Sequence, residues 1–227
     1  MRVLATEIPV FICTGRERWS TEKFARELGL TSLQISDNGA VIVDPMSGWE
    51  PVWSASIRLV AATSIIEELG HRGLGFFANN ADHIFRDLRS AEGHELSIIS
   101  ALDMASDSAD EIINYFRVSE FAEDVQVTKS SLPYNGLWAV DFTPAGVDKG
   151  SALERVSDRL NICLDKIAAV GDSYNDIPMF KKCGFSLSMG EAPEQVQEFT
   201  DVTVPNQSDE GLIFAIEEII RPAIKSD

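Results

Sequence analysis

Basic residues are scarce in this chain: 19 lysines and arginines stand against 36 aspartates and glutamates, a formal net charge of -17 over 227 residues. A mean field of that sign repels a phosphate backbone or an anionic membrane, which argues against nucleic acid and a lipid surface as partners. It does not exclude a small anion, because one lysine, a cation and a few backbone N–H groups can hold a phosphate inside an acidic protein. Cysteine is scarce too. Cys13, Cys163 and Cys183 are odd in number, far apart and without CxxC spacing, which points away from a disulfide framework or zinc knuckle and toward a reducing cytoplasm. The opening MRVLATEIPVFICTG superficially resembles a signal peptide, but Glu7 and Pro9 interrupt its apolar core and Arg16 follows at once. No apolar run is long enough to cross a bilayer, and repeats and low-complexity segments are lacking, which excludes a solenoid or a disordered chain.

What remains is the make-up of a globular protein, 44% hydrophobic and 24% charged. IPVFICTGR reads as a short strand ending in Thr-Gly, and TEKFARELGL as a helix closed by Gly29. LQISDNGAVIVDP reads as two strands joined by an Asn-Gly turn. Toward the C-terminus GSALERVSDRLNI, DIPMFKKCG, APEQVQEFTD and DEGLIFAIEEIIRPA read as helices, alternating with the strands KIAAVGDS, FSLSMG and VTVP. Such alternation predicts an α/β core with a parallel sheet covered on both faces. The middle has another texture: a helical LVAATSIIEELGHRG, strand-like LGFFAN, ELSIIS and DVQVTKSS, a helical DEIINYF and the strand-like LWAVDFTP. This predicts a smaller α+β insert, with boundaries at residues 1–48 (core, first part), 49–142 (insert) and 143–227 (core, second part). Trp49, Trp53 and Trp138 fall near the junctions, equally suited to line a cleft or to pack a hinge.

Chemistry concentrates in three short stretches. In AAVGDSYNDIPMF, Asp172 falls where an apolar strand ends, the place where α/β sheets bind ligands, and Asp176 follows four residues on with Pro178 in the first helical turn. Asp176 could simply cap that helix. Two like charges on one turn nevertheless repel by roughly 0.2–0.5 kcal/mol unless a cation lies between them, and oxygen donors without His or Cys favour magnesium over zinc. Thr14 and Gly15 end the first strand, offering a hydroxyl and a backbone that an anion can approach, or merely a turn. Lys149 precedes the helix that leads to the Asp172 strand, either as a surface lysine or as a fixed charge on a phosphoryl group. Cys13 reads as a core thiol rather than a nucleophile, and the spacing of His71, His83 and His94 fits no metal motif.

In order along the chain, TGR after an apolar strand, DNGA, DKGSAL, AVGDSYNDIPMF and SMGEAPEQV…FTDVTVPNQSDEGL resemble the haloacid dehalogenase (HAD) superfamily of phosphatases. The resemblance is to the Cof-like branch with a C2-type cap, especially small phosphoglycolate and sucrose-phosphate phosphatase-like members. It implies a Rossmann-like core with a parallel sheet, an α+β cap, and magnesium-dependent hydrolysis of a small phosphorylated metabolite by a monomer or homodimer. Carried onto this chain, it makes Asp172 a magnesium ligand and Asp176 a support for the same cation, directly or through water. Thr14, Gly15, Lys149 and Asn175 become phosphate-binding residues, and Asn38 faces the cleft under the cap.

The family reaction also needs two aspartates separated by one residue on the first, central strand: a nucleophile, and a general acid that later activates water. No such pair occurs in these 227 residues. The expectation is therefore a natural protein that begins about 30 or more residues before Met1, a length suited to the missing strand with its loop and helix, and a chain that is inactive or impaired by itself. The alternative is a noncatalytic phospho-ligand-binding or regulatory protein on the same frame.

Overall fold

A computed structural model describes residues 1–80, 82–132 and 134–226. The chain divides into two compact units, Met1–Ala152 and Leu153–Asp227.

In the first unit, helix α1 (Arg18–Leu28) buries Thr21 and Ala25 and stops at Gly29, whose φ of 68° and amide bonds to the Ala25 and Arg26 carbonyls close the last turn. The stretch before it differs from the ladder expected for IPVFICTGR: it is extended, but only Cys13 bridges Ile35, in parallel. Ile35 makes both backbone bonds of that bridge, accepting from the Thr14 amide at 3.1 Å and donating to the Ile12 carbonyl at 2.9 Å. The Gln34 side chain, buried completely, takes the remaining donor: it accepts from the Ile12 amide at 2.9 Å and donates to the Ser32 carbonyl at 2.8 Å.

Strands β1 (Gln34–Ser36), β2 (Val41–Val43) and β3 (Pro51–Ser54) form an antiparallel sheet, with Ile42 opposite both Ile35 and Trp53. The β1–β2 link is wider than a two-residue Asn-Gly turn. Asp37, Asn38 and Gly39 all take positive φ, at 50°, 51° and 101°, a rare run because a side chain there crowds its own backbone. Trp49 packs with Ala25, Leu30, Val41 and Val43 beneath the Arg26 guanidinium, which lies 4.8 Å from its ring centroid.

The insert follows as helix α2 (Leu59–His71), strands β4 (Phe76–Asn79) and β5 (Ile84–Phe85), helix α3 (Leu88–Ala91), strand β6 (Ile98–Met104), helix α4 (Ser106–Arg117) and strands β7 (Val125–Leu132) and β8 (Leu137–Pro144). Among the described residues its strands make one antiparallel sheet in the order β5-β4-β6-β8-β7. Apolar residues of α2 and α4, Ile65, Leu69, Ile112 and Phe116 among them, share a core with Ala78, Ile99, Ala101, Val140 and Phe142. Side chains alternate across a strand, so Asn79, Ser100 and Asp141 project from the opposite face.

Helix α5 (Lys149–Leu160) leads into the second unit, which continues with β9 (Ala168–Gly171), α6 (Ile177–Phe180), β10 (Phe185–Ser188), α7 (Glu194–Gln197), β11 (Val202–Thr203) and α8 (Gly211–Phe214). A π-helical segment, Ala215–Ile220, joins α8 to α9 (Arg221–Ser226). Here the sheet is parallel, ordered β11-β10-β9, with Leu187 opposite Val170 and Val202. Leu187, Met189, Val204 and Ala215 form its core. Among the described residues no helix is long and apolar enough to cross a membrane.

Candidate active site

In the first unit the site is built around the Asp37–Gly39 turn. The Thr14 amide donates to the Ile35 carbonyl at 3.1 Å, and the Thr14 carbonyl accepts from the Asn38 amide at 3.0 Å. Thr14 Oγ1 accepts from the Arg16 amide at 3.2 Å. These bonds fold the Thr14–Gly15 turn against the Asn38 side chain, and a Cβ at position 15 would lie 3.0 Å from Asn38 Oδ1. Glycine serves here because a neighbouring side chain already fills the space.

Asn38 is buried, and its Nδ2 donates to Asp141 Oδ2 at 2.7 Å. Asp141 also accepts from Ser100 Oγ at 2.6 Å and Ser130 Oγ at 2.7 Å. Burial pushes the Asp141 carboxyl above its ordinary pKa, while the three hydrogen bonds and the Lys149 charge pull against that rise. Lys149, itself buried, opens α5 immediately after Asp148, whose Oδ1 accepts from the Ser151 amide at 2.7 Å and caps the helix. The α-carbon of Gly39 lies against the Asp148 carbonyl so closely that a Cβ would collide with it. Thr14, Gly15, Asn38 and Lys149 are thus linked through the turn and Asp141.

Asp37 is a second buried carboxyl in the same turn. It accepts from Ser97 Oγ at 2.7 Å and Asn79 Nδ2 at 3.2 Å. Desolvation raises its pKa from 3.8 to about 7, against those hydrogen bonds; Glu17 adds to the rise and Arg18 opposes it. Asn79 Oδ1, also buried, has no hydrogen-bond partner among the described residues.

In the second unit Asp172 is exposed just beyond the carboxyl end of β9, and Asn175 and Asp176 are buried in the turn that follows. Asp176 Oδ2 accepts from the Asp172 amide at 2.9 Å and the Ser173 amide at 3.0 Å, closing a capping box with Ser173. A Cβ on Gly171 would lie 2.5 Å from Asp176 Cγ, so glycine admits that carboxylate. The two acids therefore differ: Asp176 clamps the loop and Asp172 stands at its mouth. Among the described residues no three His, Cys, Asp or Glu side chains gather as a metal cluster. The donors nevertheless suit magnesium, which is held through one or two carboxylates with waters and substrate phosphates completing its shell.

His71 ends α2 in an exposed position, whereas His83 and His94 lie 6.2 and 4.6 Å from the Phe85 ring. Trp138 carries the Lys129 ammonium 4.8 Å from its ring. Sequence reasoning passed over Asp37 and Asp141. Asp141 did leave a signal, as the lone charge in the strand LWAVDFTP, since a charge in a buried strand is costly unless hydrogen-bonded.

A family model described as haloacid dehalogenase-like hydrolase matches residues 1–216. The chain is 25% identical over 211 residues to a phosphoglycolate phosphatase of Archaeoglobus fulgidus, covering 93% of this chain and 82% of that one. It is 26% identical over 213 residues to a 5-amino-6-(5-phospho-D-ribitylamino)uracil phosphatase of Bacillus subtilis, covering 91% and 80%. In fold it resembles the solved HAD subclass IIB sugar phosphatase BT4131, with a TM-score of 0.78 at 16% identity over 96% of this chain and 90% of that one. A family match over nearly the whole length, on an α/β frame shared with that phosphatase, makes this chain a member of the haloacid dehalogenase-like hydrolases.

Proposed function

We propose that this chain carries the phosphate- and magnesium-binding frame of a phosphomonoesterase acting on a small phosphorylated acid or sugar in the cytoplasm. The observation that carries the proposal is a buried Lys149 at the start of α5, in the same unit as the Thr14–Gly15 turn that Asn38 and Asp141 hold. A cation kept from water, together with a backbone turn open to an anion, is what a phosphoryl cradle needs. Thr14 and the Gly15 backbone bind phosphoryl oxygens, Lys149 neutralises them, and Asn175 is a further phosphate-binding residue. Asp172 holds the cation, and Asp176 supports it by fixing the Asp172 and Ser173 amides. Magnesium, when bound, offsets phosphoryl charge.

The relatives' printed names support the substrate class: one acts on phosphoglycolate, another on a phosphorylated ribityl compound. Because no two aspartates are separated by a single residue in these 227 residues, the chain alone binds phosphate but turns esters over poorly or not at all. Loss of a nucleophile that works within a unit costs several orders of magnitude in rate. The test is magnesium-dependent hydrolysis of p-nitrophenyl phosphate, together with binding of inorganic phosphate by calorimetry. Phosphate binding that weakens in Lys149→Met supports the frame, and failure of the wild-type chain to bind phosphate refutes it. Robust turnover that depends on Asp172 refutes the expectation of impairment.

A further inference from the structure

We propose that Asp141 is a positioning residue: it sets Asn38 against the Thr14–Gly15 turn and so ties the shape of the phosphate cradle to the five-stranded sheet. The inference rests on the reading of that turn as the cradle. Asp141 lies in β8, whose neighbours in the sheet are β6 and β7. One donor reaches its carboxylate from each of these strands, Ser100 at 2.6 Å and Ser130 at 2.7 Å, and a third comes from outside the sheet, Asn38 at 2.7 Å. The two serines fix the carboxylate within the sheet, and the carboxylate then fixes the amide.

With Nδ2 turned to Asp141, Asn38 presents its Oδ1 to Gly15, 3.0 Å from where a Cβ would stand. Its own amide holds the Thr14 carbonyl at 3.0 Å. One residue thus bonds the turn through its backbone and packs against it through its side chain, whose rotamer is set by Asp141. The backbone makes that grip sensitive. Asn38 lies at φ 51° between two further residues of positive φ, a conformation that persists only where its surroundings over-determine it. Asp141 is part of that determination, and the Lys149 charge favours its ionised form.

A double-mutant cycle on the full chain tests the proposal, with inorganic phosphate as the probe and calorimetric Kd as the readout. Asp141→Ala and Asn38→Ala are each expected to weaken phosphate binding about tenfold, and the double variant no more than either single one, because Asp141 acts through Asn38. Asp141→Asn keeps an acceptor for the Asn38 amide and is expected to recover most of the lost affinity. A thermal melt of each variant separates a changed cradle from a failed fold, and Ser130→Ala, which removes one support of the carboxylate and touches no cradle atom, is expected to give a smaller loss of the same kind. Additive losses in the double variant, or unchanged affinity in folded Asp141→Ala, overturn the role of Asp141 while leaving the cradle intact. A wild-type chain that binds no phosphate overturns cradle and positioning together.

Discussion

Asp37→Asn is expected to stabilise the protein above neutral pH and to leave it nearly unchanged in acid. Burial raises the Asp37 pKa from 3.8 to about 7. The raised group binds its proton more tightly folded than unfolded, so its contribution to stability is fully present below about pH 4 and is lost as pH rises through about 7. At about 1.4 kcal/mol per pH unit, the gap between 3.8 and about 7 is worth about 4 kcal/mol. Asparagine carries no charge to desolvate. Its Oδ1 accepts from Ser97, its Nδ2 can donate to Asn79 Oδ1 once the Asn79 amide turns over, and it tolerates the φ of 50° at this position. The assay is urea denaturation of both proteins at pH 5, 6, 7 and 8.5. Titrations elsewhere in the chain largely cancel in the difference between the two curves. That difference is expected to grow with pH and level off above 7.5, reaching about 2–4 kcal/mol. A difference that stays flat with pH, or a variant less stable at pH 8.5, refutes the account of Asp37 as a carboxyl that burial holds near neutrality.

Asp176→Ala removes the acceptor of two backbone N–H groups and is expected to cost about 2–3 kcal/mol in chemical denaturation, while Asp176→Asn, which keeps an acceptor, costs less than half as much. Gly39→Ala drives a Cβ into the Asp148 carbonyl at a φ of 101° and is expected to lower stability by about 2–3 kcal/mol, read as a drop in the urea midpoint with unchanged slope. Lys149→Met is expected to weaken inorganic phosphate binding at least about tenfold while the melting temperature shifts by only a few degrees, since methionine fills much of the same volume.

The parts of the fold legible in the sequence are those where one local signal suffices. Gly29 closes α1, the apolar period of α2 and α4 specifies a buried stripe, and IAAVG followed by Asp172 marks a strand end. The departures share another cause. IPVFICTGR has strand composition, but its backbone pairs with Ile35 while the Gln34 side chain takes the Ile12 amide, and nothing in the order of residues announces that an amide 22 positions away will accept from Ile12. Asn-Gly suggested a tight hairpin, yet Asp37 joins the left-handed run because Ser97 and Asn79, 60 and 42 residues distant, hold its carboxyl. Local propensity yields to tertiary partners in both cases.

The same distinction separates the two acids of GDSYND. Spacing alone treats Asp172 and Asp176 as a pair, whereas the backbone gives them opposite tasks. The Asp176 carboxylate is drawn inward over Gly171 to the amides of residues 172 and 173, which satisfies two orphan donors at a helix start. Asp172 is left at the surface end of β9. The like-charge repulsion that suggested a cation between them is then offset largely by those N–H groups, and the proposed cation site rests on Asp172 first. A magnesium titration discriminates: Asp172→Asn is expected to abolish the magnesium dependence of phosphate binding, and Asp176→Asn to weaken it only in proportion to how far the loop loosens. Equal loss in the two variants, with Asp176→Asn still natively stable, would return Asp176 to the rank of a direct ligand.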